Sequence, residues 1–293
     1  MEAKNYRREK RERRVNVWAK KMLVLISRTI TLICIAVGSV KNEEAAKSMM
    51  PISFMNGELN MITSDAKEQT NKTSFLFRAS SISAAMVLFI IPIQIIVYVV
   101  YPIPTSVEAW LALFHESWIL GLLHQDLLYL INNLLVAIMY LGFYTSLKHY
   151  SAGIMKLALV LGLLGISAYF ASNKAFEMLS ASNLYFAANT VSEKSMILIV
   201  GQMILSEWQG TAFLVYYVLN GITLILISFV MIKSKLFGKA AAWIGLAAGV
   251  LMMVPSTAGT IGLVFSLASL IPWCVFCGLV AAKFTKLANA NQI

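Results

Sequence analysis

SSISAAMVLFIIPIQIIVYVVY, residues 80–101, runs for 22 positions without a lysine, arginine, aspartate or glutamate. A helix needs about 20 apolar residues to cross the roughly 30 Å hydrocarbon core of a bilayer, so this stretch predicts a membrane-spanning helix. The composition of the whole chain suits that environment, because 59% of its 293 residues are hydrophobic and only 13% are charged. Soluble domains contain about 25% charged residues.

Five more segments have the length and composition of membrane spans. They lie at residues 119–147, 154–176, 213–232, 240–256 and 259–282. We therefore expect an all-α protein, a polytopic bundle of about six transmembrane helices within residues 73–287. Pro255, Ser256 and Gly259 are turn-forming residues, and they predict that the last two spans form a hairpin.

Basic residues alternate between the two faces of this predicted bundle. Cytoplasmic connections of membrane proteins are enriched in lysine and arginine. With six spans, one face holds only Lys174 and Lys194. The other face holds Lys72, Arg78, Lys148, Lys156, Lys233, Lys235, Lys239, Lys283 and Lys286. The pattern predicts a multi-pass protein of the cytoplasmic membrane, with both ends of the membrane domain in the cytoplasm.

Two segments of the outer face are predicted to be interfacial helices rather than plain loops. Residues 107–118, VEAWLALFHESW, mix aromatic and acidic side chains, which suits the membrane–water interface. Residues 190–208 begin with Thr190 and Glu193 at the spacing of a capping box. The apolar part of this second segment, residues 196–205, is too short to span. A re-entrant helix or a half-span is the alternative there.

The first 60 residues form a basic extension of a different character. Residues 22–40 are apolar, but Arg28 lies in their middle and would cost about 2.5–3.5 kcal/mol at the centre of a bilayer. A crossing there would also invert every later connection, so we interpret residues 22–40 as a surface helix. Residues 1–60 are then a cytoplasmic or surface-lying extension, or sequence outside the native protein, because Met61 offers a later start. Their basic charge favours cytoplasmic retention over nucleic-acid binding.

Three segments carry a resemblance to a known family. They are DLLYLINNLLVAIMYLGFYTSL at 126–147, GISAYFASNKAFEMLSASN at 165–183, and AAWIGLAAGVLMMVPSTAGTIGLVFSLASLIPW at 241–273. In this order and spacing they resemble the bacterial membrane proteins grouped as domain of unknown function 4386. The resemblance covers about residues 73–287 and implies a membrane-embedded helical fold. It implies no activity, cofactor or partner.

Polar side chains within the spans are costly in a bilayer and therefore mark a candidate site. The predicted cluster consists of Asp126, Asn132, Asn133, Lys174, Glu177 and Asn220. Asp126 lies 24 residues before Tyr150 and Lys174 lies 24 after it, so an antiparallel hairpin would bring both to one depth. An Asp126–Lys174 ion pair is one interpretation. The other is that Lys174 and Glu177 pair with each other at a solvated helix end.

Small residues at four-residue spacing are predicted to pack helices together. They are Gly245 and Gly249 in the fifth span and Gly262 and Ser266 in the sixth. Packing within the hairpin is one interpretation, and an oligomer contact is the other. Catalytic, metal-binding and cofactor-binding motifs are not found in the sequence: His115-Glu116 begins a zincin pattern, but Ile119 stands where the second histidine belongs.

These observations favour a non-enzymatic membrane protein that binds a small or lipid-like ligand in an outward-facing pocket among spans two to four. One alternative is a carrier coupled to protons or cations through Asp126. Another is an accessory or scaffold subunit. An intramembrane enzyme is disfavoured, because the sequence offers no nucleophile beside a base. The expected partners are the lipid bilayer and a second copy or another membrane protein, without nucleic acid.

Overall fold

The computed structural model describes residues 52–254, 256 and 259–290. Ten helices and no strand occupy these residues: α1 (Ile52–Val100), α2 (Val107–Glu116), α3 (Trp118–His124), α4 (Leu127–Leu147), α5 (Ala152–Ser172), α6 (Ala175–Ala187), α7 (Val191–Trp208), α8 (Thr211–Ser234), α9 (Lys239–Met252) and α10 (Gly259–Ala290). The chain divides into two units, Met1–Lys67 and Glu68–Ile293. The predicted extension at 1–60 and its surface helix at 22–40 lie outside the described residues, apart from the first turns of α1.

The helices confirm the all-α prediction and include segments of membrane length. Five stretches are long and apolar enough to cross a bilayer: Asn71–Val100, Leu127–Leu147, Ala152–Ala187, Val191–Ser234 and Val264–Ala290. The apolar helix Lys239–Met252 is shorter. Large apolar side chains point outward along the second unit; Phe75, for example, is 73% exposed and Ile271 is 72% exposed. Apolar surface of this extent is typical of a lipid-facing bundle.

The second predicted span, 119–147, is not one continuous helix. Helix α3 ends at His124 and α4 begins at Leu127, with Asp126 between them at a φ of 67°. This left-handed conformation interrupts the ladder of helical hydrogen bonds, and aspartate is one of the few residues besides glycine that adopt it routinely. The break therefore divides the predicted second span into two helices.

Other predicted boundaries also shift. The third span, predicted to reach residue 176, ends at Ser172, and a separate helix starts at Ala175. The fifth ends at Met252 instead of residue 256, whereas the sixth continues past residue 282 to Ala290. The third and fifth spans are shorter than predicted because apolar residues continue past the end of the helix. The sixth is longer because polar residues continue the helix, so composition alone misplaces these ends.

Six helices, α1, α4, α5, α8, α9 and α10, share one hydrophobic core that we call the bundle. Its centre contains a group of phenylalanines around Phe143, whose ring centroid lies 5.3 Å from that of Phe237, 5.8 Å from Phe276 and 5.2 Å from Phe284. Offset and tilted aromatic packing of this kind stabilises a core beyond simple burial. These side chains join three separate parts of the chain: α4, the connection between α8 and α9, and α10.

The remaining helices, α2, α3, α6 and α7, share a second core that we call the cap. Its buried side chains are Trp110, Leu111, Phe114, Leu122, Ala175, Met178, Ala181 and Trp208. The predicted capping box is confirmed, since Thr190 Oγ1 accepts from the Glu193 amide at 3.2 Å and Glu193 Oε2 accepts from the Thr190 amide at 3.0 Å. The two segments predicted as outer helices thus pack together, and α6 packs against both of them.

The small residues of α9 lie against α8. A Cβ atom on Gly249 would lie 3.0 Å from the backbone oxygen of Gly221, and one on Gly245 would lie 2.6 Å from Ser228 Oγ. Such close backbone approach is what small residues permit between helices. Gly262 on α10 is buried, whereas Ser266 lies 3.3 Å from the hydroxyl of Tyr217. The predicted hairpin packing is therefore extended to α8, and Ser266 belongs to a cavity described next.

Candidate functional site

A cavity of about 390 Å³ lies between the bundle and the cap. It is lined by residues of all six bundle helices and by Trp208 at the end of α7. A larger groove of about 610 Å³ is open on the outside of α4, α5 and α6 and is lined mainly by leucine and phenylalanine. Because the internal cavity also contains a buried carboxylate, it is the candidate site.

Asp126 presents that carboxylate, and it is only 7% exposed. Its Oδ1 accepts a hydrogen bond from the Tyr98 hydroxyl at 2.7 Å, and its Oδ2 accepts one from Trp208 Nε1 at 2.9 Å. Burying an ionised carboxylate is costly unless it is hydrogen-bonded or paired, and a hydrogen bond to a charged group contributes about 1.5–3 kcal/mol. The two donors come from the bundle and the cap, so Asp126 joins both.

The chain around Asp126 is held by neighbouring backbone contacts. Asn173 Nδ2 donates to the backbone oxygen of Gln125 at 2.6 Å, which ties the break between α3 and α4 to the end of α5. The buried His124 ring lies with Nε2 2.7 Å from the Tyr101 oxygen and Nδ1 3.0 Å from the Leu120 oxygen. His124 does not line the cavity and serves to anchor the chain. These contacts hold the left-handed turn in place.

Aromatic rings form one wall of the cavity. Tyr169 and Tyr216 have centroids 4.7 Å apart, Tyr216 and Tyr217 are 5.4 Å apart, and Phe213 and Tyr217 are 5.0 Å apart. Tyr129 also lines the cavity. The cavity thus combines one acidic group with several aromatic rings.

Amide side chains complete the lining. Asn220 Oδ1 accepts from the Tyr140 hydroxyl at 2.6 Å, and Asn220 Nδ2 donates to the Tyr216 oxygen at 3.1 Å. Asn132 is 4% exposed, and its Oδ1 has no hydrogen-bond partner within the described part of the chain. A buried polar atom without a partner costs about 1–3 kcal/mol. Asn132 therefore offers an acceptor to whatever enters the cavity.

The predicted polar cluster is divided between two places. Asp126, Asn132 and Asn220 line the cavity, whereas Asn133 is buried nearby and donates to the Tyr129 oxygen at 2.9 Å. Lys174 and Glu177 do not line it.

The interpretation that Asp126 pairs with Lys174 is wrong. Lys174 Nζ lies 3.8 Å from Glu177 and 3.5 Å from Glu207, and among the described residues these are its ion pairs. The depth estimate still holds for the backbone, since Asn173 contacts Gln125. Lys174 keeps 24% of its side chain exposed and meets two carboxylates that remain in solvent. Such pairs avoid the desolvation cost of a fully buried ion pair.

Tyr98, Tyr169 and Trp208 were not among the predicted site residues. Tyr98 lies near the end of the first span, and Trp208 closes the second outer segment, so neither shares a helix with Asp126. The sequence signal that could have identified these residues is an aromatic side chain with a hydrogen-bond donor at the end of an apolar segment. Its usual interpretation is anchoring at the membrane interface.

No protein-family model, curated protein or solved structure matches this chain. The resemblance named above therefore remains an expectation, and function must be argued from the cavity itself. Among the described residues, no three or more His, Cys, Asp or Glu are grouped to hold a metal ion. Cys274 and Cys277 are free thiols on α10. The chemistry that the cavity offers is one of binding: a carboxylate, amide oxygens and aromatic faces.

Proposed function

We propose that this chain is a multi-pass membrane protein that binds a small or lipid-like ligand in the cavity beneath the cap. The observation that carries the proposal is that one cavity of about 390 Å³ is lined both by the buried Asp126 carboxylate and by Asn132, whose oxygen has no partner in the described part of the chain. Ligand pockets usually measure roughly 300–1,000 Å³ and combine apolar walls with a few placed polar groups. The same combination is present here.

The proposed topology has six crossings, with the cap on the outer face and both ends of the membrane domain in the cytoplasm of a bacterial cell. Helix α9 has 14 residues, which extend about 21 Å at about 1.5 Å per residue, so it crosses only as a short span. Five crossings would put Lys235 and Lys283 on opposite sides. Six put them on one side, which agrees with the preference of basic residues for the cytoplasm.

Reporter fusions test that topology. We expect fusions of green fluorescent protein after Lys148, after Lys235 and at Ile293 to fluoresce, because all three points are predicted to be cytoplasmic. A fusion of alkaline phosphatase after Asn189, in the cap, should be active and serves as the opposite control. If green fluorescent protein fused at Ile293 did not fluoresce, and alkaline phosphatase fused at the same residue were active, the protein would have five crossings.

A cavity-filling substitution tests ligand binding. Met252 lines the cavity, whereas Val250, two residues earlier on α9, is 54% exposed and points outward. We expect native mass spectrometry of the protein, released directly from its own membrane, to show a small-molecule adduct. Met252→Trp should remove most of that adduct. Val250→Trp should keep that adduct. Equal adducts in both variants, or none in the unmodified protein, would contradict the proposal.

A carrier is the second candidate, and the break between α3 and α4 favours it. Transporters often bind substrate where a helix is interrupted and its backbone is exposed to a cavity, and Asp126 occupies that position here with a φ of 67°. A carrier must release its ligand on the other side of the membrane. Flux into proteoliposomes that stops in the Met252→Trp variant would distinguish it from a protein that only binds.

A further inference from the structure

We propose that the ligand of this cavity is an organic cation, an amine or quaternary ammonium group attached to an apolar body. This inference rests on the proposed function, since it names the chemistry of the ligand that the cavity beneath the cap would bind. It is carried by three independent features: the charge of the cavity, its ring faces and its free acceptor.

The charge of the cavity is negative. Among the described residues that line it, Asp126 carries the only formal charge, and no lysine, arginine or histidine is present. Its hydrogen-bond donors among the described residues, Tyr98, Trp208 and Tyr169, are neutral and leave the charge uncompensated. A carboxylate has about four lone-pair sites, so these three donors still leave room for a ligand. A cation would neutralise the carboxylate, and the attraction between the two charges would be strong because water screens charges poorly inside the cavity.

The ring faces favour the same ligand. A cation is attracted to the face of tryptophan, tyrosine or phenylalanine within about 6 Å of the ring centroid, and aromatic cages are the usual recognition device for quaternary ammonium groups. Tyr129, Tyr169, Tyr216, Tyr217 and Phe213 line this cavity together with Asp126. An anionic or purely hydrocarbon ligand would gain nothing from the carboxylate beside those rings.

The free acceptor completes the match. Asn132 is 4% exposed, and its Oδ1 has no partner among the described residues, so it can receive a hydrogen bond from an ammonium N–H group or face the positively polarised methyl groups of a quaternary one. A bare divalent ion fits poorly, because calcium takes about 6–8 oxygen ligands. The described residues contain no group of three or more His, Cys, Asp or Glu that would supply them.

The test compares two probes of one shape. Benzyltrimethylammonium carries a positive charge, whereas neopentylbenzene is its uncharged carbon isostere. In nanodiscs of zwitterionic lipid, we expect the protein to bind the charged probe at least about tenfold more tightly than the neutral one, measured by saturation-transfer nuclear magnetic resonance. Asp126→Asn should remove most of that preference, and asparagine also tolerates the left-handed backbone.

Two controls keep the result interpretable. Glu207→Gln removes the same charge from a cap residue that is 61% exposed and does not line the cavity, so the preference should persist. Met252→Trp should weaken both probes. If Asp126→Asn does not fold, the preference of the unmodified protein still decides the matter.

Equal affinity for the two probes, or a preference that survives Asp126→Asn, would overturn the organic-cation proposal. If Met252→Trp still blocked both probes in that case, the ligand cavity itself would stand. If neither probe bound and Met252→Trp left the small-molecule adduct unchanged, the proposed function and the organic-cation proposal would both fail.

Discussion

Replacing Trp208 with alanine is expected to lower the free energy of unfolding by about 3–5 kcal/mol. The indole is 8% exposed, and its ring lies 5.7 Å from that of Trp110 within the cap. It also donates to Asp126 Oδ2 at 2.9 Å, so its loss leaves a buried carboxylate oxygen without its partner. Thermal unfolding of the purified protein in detergent should show a melting temperature lower by roughly 6–20 °C.

Trp243→Ala is the matched control, because Trp243 on α9 is 59% exposed and should tolerate the change. Trp208→Phe separates the two contributions of the indole. Phenylalanine keeps most of the packing but cannot donate to Asp126, so its effect should fall between those of the other two variants. If Trp208→Ala and Trp243→Ala lowered the melting temperature equally, the cap would not depend on this residue.

Replacing Gly249 with alanine is expected to destabilise the protein by about 1–3 kcal/mol. The new Cβ would lie 3.0 Å from the Gly221 oxygen and 3.1 Å from the Ile225 amide nitrogen. These are backbone atoms, which cannot rotate aside as a side chain would, so α8 and α9 must separate. Unfolding titrations in mixed detergent micelles measure the change in free energy directly.

Gly278→Ala is expected to act in the opposite direction. Among the described residues, a Cβ on Gly278 would meet Leu88 Cδ1 alone, at an ordinary contact distance of 3.7 Å. Alanine within a helix is then more favourable than glycine by about 0.5–1 kcal/mol, because glycine loses more backbone freedom on folding. Destabilisation of equal size at Gly249 and Gly278 would show that backbone approach between α8 and α9 is not the cause.

The sequence predicts most of the bundle, because a bilayer requires long uninterrupted apolar runs. The run at 213–232 lies within α8, and the run at 80–101 matches the apolar end of α1 to within a residue. The break at Asp126 escapes such reasoning, since leucine and isoleucine lie on both sides of it and composition does not report a φ of 67°. Aspartate adopts the left-handed conformation more readily than most residues, but most aspartates do not, so Asp126 alone does not predict the break.

The depth of Asp126 could be predicted from the sequence, but its hydrogen-bond partners could not. Counting residues from Tyr150 placed Asp126 level with the end of α5, and the Asn173–Gln125 contact agrees with it. Counting along two helices gives depth but not which side chains face each other. Asp126 accepts hydrogen bonds from Tyr98 of α1, a bundle helix, and from Trp208 of α7, a cap helix, and both lie far from it in the sequence. Contacts of that kind depend on the tertiary arrangement and leave no local pattern.

The hydrogen bond between Trp208 and Asp126 couples the outer helices to the cavity. Trp208 is a buried member of the cap core, and the group to which it donates is the charge that a ligand would meet. Any occupant that draws Asp126 Oδ2 away from the indole must therefore shift the conformational equilibrium of α7. Thermodynamic reciprocity requires the converse as well. A molecule that binds α7 from the aqueous side changes the affinity of the cavity for its ligand by the same factor.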